Sequence, residues 1–402
     1  METTTSPTKL NTKGAMLKYC IQNIAAQAAF CPATMMVAFM LARGISNSAA
    51  GVAMALGNLL ALVIQPVIAS IADSKTGPTI ARMSFLASIA MVVAFLGGWI
   101  IPNHILIMAC VAAMLMLFMN LLGLINSISV YYQNRGASIN YGVARGLGSA
   151  SYAGVAAVIG FLADNFGADV YVLLGAGLSA LIALTMLLLP TPKNVPALVE
   201  AAVDDVANDE TYVQFLKKHW KFLLLIVGSA LGFVMESSVG TYTLPIVQSV
   251  GGGEAEMGLA MALQAILELP GMWGYNWLET KFKTSSLLIF SIAMYAVKGF
   301  MFCIASSIPM IYVAYAFQAV SFAIFTPAGI SYANKFFGEG DKNKAIGLFS
   351  LIGSIAGIIA APVSGWAIDG FGVHMMLVIV TVMAGVGVVF SFLGLEREKA
   401  QA

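Results

Sequence analysis

Runs of about twenty apolar residues, the length that crosses a bilayer core as a helix, recur along the whole chain with only short polar or Gly/Pro breaks between them. Twelve are counted, at about 19–42, 49–71, 83–101, 105–130, 146–163, 169–189, 222–247, 257–277, 286–305, 309–333, 345–367 and 373–393. Such a chain cannot hide its apolar surface in a water-soluble core. Of its 402 residues 59% are hydrophobic and 10% charged, where a soluble domain carries roughly 25% charge. A helix satisfies its own backbone hydrogen bonds in lipid, so the expected fold class is an all-α integral membrane protein with twelve transmembrane helices. The first run is long and has no small-residue cleavage site after it, which argues against a cleavable signal peptide.

Lys and Arg concentrate in cytoplasmic loops. With the N-terminus inside, all 20 Lys and Arg fall in inside segments except Arg43, which is outside, and Lys298, which is mid-span. The expected location is therefore the cell membrane, multi-pass, with both termini cytoplasmic. The net charge of +1 gives no reason to expect a nucleic-acid partner. Cys20, Cys31, Cys110 and Cys303 lie in or at the edges of apolar runs with no CxxC spacing, and read as small apolar residues.

One polar break is longer than a turn. It opens at Pro190 with TPKNVP, passes through the acidic DDVANDE (Asp204 to Glu210) and closes on the basic KKHWK. The acidic run reads as a solvated segment, with a short amphipathic interfacial helix as the alternative. Six spans precede the break and six follow it, which divides the chain into residues 1–190, a central loop at 191–220 and residues 221–402. The halves also echo one another. GFLADNFG (Gly160 to Gly167) returns 205 positions later as GWAIDGFG (Gly365 to Gly372), and Gly148-Ser149 falls on Gly353-Ser354. These sit on the fifth helix of each half. Two parallel six-helix halves with a solute site between them is a known transporter plan.

On these features the chain resembles the major facilitator superfamily over its whole length. After the second span that family writes Gly, three residues, Asp, Arg, one residue, Gly; here ASIADSKTG (Ala69 to Gly77) keeps Asp73, replaces the first glycine and the arginine, and has its glycine, Gly77, one position later. The resemblance implies a gating role for Asp73 and Gly77. YGVARGLGSASYAG (Tyr141 to Gly154) and LQAILELPGMW (Leu263 to Trp273) are similar to the lactose permease-like branch of oligosaccharide and nucleoside proton symporters. That similarity implies sugar contact for Arg145, whose carboxylate partner on the fourth helix is replaced by Asn126 or Ser127. It also places Lys298 on a ninth-helix arginine, and Gln318 and Ser321 where a His and a Glu couple protons.

An ionisable side chain in the hydrocarbon is costly and is a functional candidate by default. Three lie well inside spans: Glu236, Glu268 and Lys298. A desolvated carboxylate can carry a proton, and a nearby cation opposes this, so the three are expected to couple proton uptake to alternating access; the bland alternative is a structural ion-pair network. Gln264, Glu268, Gly271 and Tyr275 share one helix face, expected to line water. Gln27 on the first helix, Asn126 on the fourth, and Tyr315 with Gln318 on the tenth complete the candidates for binding a solute, although aromatic stripes in spans are more often packing. Asp164 and Asp369, each ending a helix, are expected to be structural. No histidine lies mid-span, and HExxH, GxSxG, P-loop and strand-borne GxGxxG motifs are missing from the sequence.

The expected protein is no enzyme and needs no cofactor or metal. It is expected to be a monomeric proton-coupled symporter of a small polar solute (sugar, oligosaccharide or nucleoside). An exporter or uniporter on the same fold, and a non-transporting membrane sensor, remain the alternatives.

Overall fold

A computed structural model of the chain describes residues 12–74, 76–195 and 211–396. The acidic stretch 204–210 and the basic residues Lys9, Lys75, Arg397 and Lys399 lie outside them.

Among the described residues the regular structure is helical throughout. The helices of the first half are α1 (Ala15–Ala42), α2 (Asn47–Asp73), α3 (Ile80–Ile100), α4 (His104–Gln133), α5 (Tyr141–Phe166) and α6 (Asp169–Met186). Those of the second are α7 (Trp220–Thr241), α8 (Glu254–Lys281), α9 (Thr284–Ile304), α10 (Ile308–Phe336), α11 (339–371) and α12 (373–394). All are long and apolar enough to span a bilayer except α8, whose composition is too polar for that test. The helix that hydropathy ranks lowest carries Glu268 at its midpoint.

Both copies of the repeated octet end on the same backbone turn. Gly167 has φ 84° and ψ 171°, and Gly372 has φ 84° and ψ 169°. A side chain is strained at such a positive φ, so glycine is required there. At Gly372 this non-helical residue alone separates α11 from α12.

Three membrane segments are interrupted along their length. α1 breaks at Met35, just after Pro32, whose missing N–H interrupts the ladder. Beyond α7 the chain turns at Tyr242 and continues as Thr243–Gln248. α10 passes through a 3-10 turn, Phe317–Ala319, with Ser321 at φ −92° and ψ −89°. Mid-helix 3-10 segments often mark function or strain, and neither Pro nor Gly in FQAVSF announces this one.

The two six-helix bundles meet along two seams, α2 against α11 and α5 against α8. The start of the expected central loop is stitched to the first bundle: the Tyr131 and Tyr132 hydroxyls donate to the Pro192 and Pro190 carbonyls, and Arg135 donates to Val195 O at 2.9 Å. At its other end Tyr212–Lys218 forms a short helix, capped by Thr211 and Gln214 and anchored by the buried Phe215.

Candidate functional site

We call the end of the molecule where residues 12 and 396 and most of the described basic residues lie the basic end, and the opposite one the far end. At the far end both seams are shut backbone on backbone. A Cβ added to Gly51 or Gly365 would stand 2.3 Å from Ala361 O or Asn47 O, and one added to Gly258 would stand 2.3 Å from Ala156 O. Only residues without a side chain allow helices to approach so closely.

The two seams are fastened differently. On the α2–α11 side Asp369 Oδ1 accepts from the backbone N–H and side-chain amide of Asn47 at 3.2 and 2.9 Å. Its Oδ2 accepts from the backbone N–H and hydroxyl of Ser48 at 2.7 and 2.6 Å. A carboxylate on a helix N-terminus meets unsatisfied donors and the positive end of the dipole. The Tyr242 hydroxyl lies where α2 and α11 cross, 2.7 Å from Ala361 O and 3.0 Å from Asn47 O. On the α5–α8 side Asp164 reaches Gly253 at the start of α8, but the Gly253 N–H already donates to Glu256 at 2.8 Å. There glycine contact does the closing, and Glu254 is held by the Tyr171 hydroxyl. The expected structural role of the twin aspartates thus resolves into one clasp, at Asp369, and one near contact, at Asp164.

Towards the basic end the bundles part around a cavity of about 640 Å³. Gln27, Phe30 and Thr34 line it from α1, Asn58 from α2, and Arg145, Ser149 and Tyr152 from α5. The second bundle contributes Ser237 and Thr241 from α7, Gln264 and Glu268 from α8, and Ser350 and Ser354 from α11. The wall mixes these polar groups with the apolar side chains of Met54, Leu115, Met119, Met261, Phe233 and Phe322.

Behind the second-bundle wall runs a hydrogen-bonded chain of five side chains. Gln264 Nε2 donates to Glu236 Oε1 at 3.1 Å, and Lys298 Nζ donates to Glu236 Oε2 at 2.6 Å. Lys298 also donates to Gln318 Oε1 at 2.5 Å, and Gln318 Nε2 donates to Glu268 Oε1 at 2.8 Å. Lys298 is 0% and Glu236 7% exposed. Lys298 Nζ also stands 5.6 Å from the Tyr315 ring centre. So the buried cation pairs with Glu236, while Glu268 meets no cation directly: it is the carboxylate of the chain that faces the cavity, held by one amide. The 3-10 turn of α10 presents Gln318 between them. Gly271 makes room for that turn, since a Cβ there would stand 2.4 Å from Ala319 O.

Of the residues singled out in the sequence, Gln27, Arg145, Gln264 and Glu268 line the cavity, and Glu236, Lys298 and Gln318 form the chain behind it. Tyr315 is buried, donating to Thr243 Oγ1 at 3.0 Å. Asn126 does not line the cavity and is exposed on α4. Tyr275 is buried inside the second bundle, 3% exposed, so the expected water-lining stripe of α8 splits. Gln264 and Glu268 face the cavity, whereas Gly271 and Tyr275 face α10 and its neighbours, because α8 leaves the cavity wall as it crosses the 3-10 turn. Asp73 is exposed at the end of α2, and the Ser74 carbonyl beside it accepts from Lys193. Gly77 follows in the loop, where a Cβ would stand 2.9 Å from Ile71 O. Asn58, Ser149, Ser350 and Ser354 escaped the sequence analysis: single small polar residues in apolar runs carry no periodic signal. The echo of Gly148-Ser149 in Gly353-Ser354 did mark two of them.

The Major Facilitator Superfamily model matches residues 222–402. No curated protein matches the sequence. Among solved structures the fold is similar to that of the nucleoside transporter NupG in its D323A form, with a TM-score of 0.77, 16% identity, and 95% of this chain and 98% of that one covered. It is similar as well to a bacterial homologue of the human lysosomal transporter Spinster in an inward-facing, unoccupied conformation, with a TM-score of 0.68, 13% identity and coverage of 95% and 96%. A POT family transporter in complex with a thioalcohol-conjugated peptide gives a TM-score of 0.71 at 11% identity, with 94% of each chain covered. The match to the Major Facilitator Superfamily model spans the second half of the chain, and the whole chain shares the fold of these solved transporters.

Proposed function

We propose that this membrane protein of the major facilitator fold is a proton-coupled symporter. It moves a small polar solute, a sugar, oligosaccharide or nucleoside, across the cell membrane by alternating access, with residues 1–190 and 221–402 as the two moving bundles. The positive-inside distribution makes the basic end cytoplasmic, so the conformation described is inward-facing. A neighbour whose title calls it a nucleoside transporter supports a solute of this kind.

The observation that carries the proposal is the position of Glu268 at the cavity end of the Glu236–Lys298–Gln318 chain. Facing cytoplasmic water it can release a proton; dehydrated when the cavity closes, the same carboxylate favours its neutral form. The pull of Lys298 on Glu268 is offset by the Glu236 carboxylate, 2.6 Å from the ammonium. Asp73 and Gly77, at the cytoplasmic end of α2, act in closing the inner mouth.

The purified protein in proteoliposomes tests this. Imposed proton gradients are expected to drive solute accumulation, and Glu268→Gln to abolish accumulation while leaving solute counterflow. Equal loss of both in Glu268→Gln removes the coupling role. Solute flux indifferent to the gradient in the unaltered protein makes it a uniporter.

A further inference from the structure

Of the charged side chains at the site, Lys298 and Glu236 neutralise one another across 2.6 Å. Two charges remain on the cavity walls, Arg145 on α5 and Glu268 on α8. Among the described residues Arg145 makes no hydrogen bond or ion pair, and it stands near enough to Glu268 and Tyr19 to act on both electrostatically. Alternating access requires the cavity to close around its load, which strips water from these groups. An ionised group dehydrated without a partner is strongly disfavoured. With a proton on Glu268 the guanidinium is the one charge left over, and the solute has to bring the counter-charge. Elsewhere on the wall the amides of Gln27, Asn58 and Gln264 and the hydroxyls of Ser149 and Ser237 suit hydroxyl groups, and Met54, Leu115 and Met119 suit the apolar face of a ring.

We propose that the solute is a polyhydroxylated monocarboxylate, a sugar acid, whose carboxylate docks on Arg145 and which crosses together with one proton, so that no net charge moves. A guanidinium meets a carboxylate through two parallel hydrogen bonds, a fit that a neutral hydroxyl cannot reproduce. The proposal rests on the transport reading, with Glu268 as the proton site.

Glucuronate and galacturonate, with glucose and uridine as neutral controls, are the probes. Both acids are expected to raise the unfolding temperature of the purified full chain, since a ligand that binds the folded state stabilises it, and glucose at equal concentration is not. Arg145→Gln is expected to weaken this at least about tenfold, one bidentate charge-assisted contact being lost, and Arg145→Lys to retain part of it. In proteoliposomes, uptake of the acids is expected to follow an imposed proton gradient and to ignore a potassium diffusion potential. That arm needs no variant to fold. Acid uptake driven by the potential overturns the proposal, as does stabilisation by the acids that survives Arg145→Gln. Failure of both acids to stabilise the protein also overturns it. Gradient-driven accumulation of uridine without binding of the acids would sink the sugar-acid assignment and leave the symport reading standing. Such uptake, moving charge, would indicate that Arg145 and Glu268 pair with each other on closure.

Discussion

Lys298 shows how much a buried charge depends on its partners. It is fully enclosed, with Glu236 at 2.6 Å and Gln318 at 2.5 Å. Removing one partner of a buried pair strands the other and costs roughly 3–5 kcal/mol, whereas replacing both together is often near neutral. Lys298→Met is therefore expected to lower the unfolding temperature of the purified protein sharply, and Glu236→Gln with Lys298→Met to recover most of it. A single variant as stable as the parent would mean that Glu236 is not left charged and alone. The three mid-span ionisable residues stood out in the sequence because charge in an apolar run is conspicuous. Their wiring did not: that Lys298 joins Glu236 directly and reaches Glu268 only through Gln318 depends on a break in α10 with no proline or glycine to signal it.

Among the elements, α8 does the most with the least hydrophobicity. Its outer part presses Gly258 onto α5, its middle lines the cavity, and its inner part turns Gly271 and Tyr275 into its own bundle. A Cβ at Gly258 would meet a backbone carbonyl, which cannot swing aside as a side chain can. Gly258→Ala is expected to force the α5–α8 seam apart. In a protein carrying Ser237→Cys as a reporter on the cavity wall, it should speed labelling by an impermeant maleimide added from the far side. Gly154→Ala, on the same seam's α5 but with nothing within 4 Å of the added carbon, serves as the control and is expected to change nothing. Period and length revealed the helices, and α8 was recognisable as one with a polar face. Where that face stops facing water was not legible, because it is set by which helix α8 crosses and not by its own residues.

For the whole molecule, the far-end clasp bears on how firmly that mouth of the cavity is held shut. Burial at the seam tends to raise the Asp369 pKa, but the donors from Ser48 and Asn47 outweigh it and hold the carboxyl below its ordinary 3.8. A folded-state pKa below the unfolded one gives a stabilisation that is present above the ordinary value and lost as pH falls through the lowered one. Far-end closure is thus expected to be insensitive to pH between about 5 and 8, and to loosen only in stronger acid. Asp369→Ala is expected to shift spin-label distances across the far mouth towards longer values at neutral pH. An unchanged distribution would leave the closure to glycine packing alone. The division into two six-helix halves was plain in the sequence, whereas the unequal fastening of the two seams was not, since Asp164 and Asp369 occupy equivalent positions and differ only in what faces them.

The twin glycines at 167 and 372 share one backbone handedness to within a few degrees. After a gene doubles, paired positions drift apart as far as physics lets them, and side-chain chemistry has drifted here to the point that one half owns all the mid-membrane charges. A reversed turn offers no such latitude, because its alternative is strain in every mirror-forbidden residue type. The chain's record of its own ancestry is therefore written where geometry forbids revision, and the parts free to be rewritten are those that came to handle cargo.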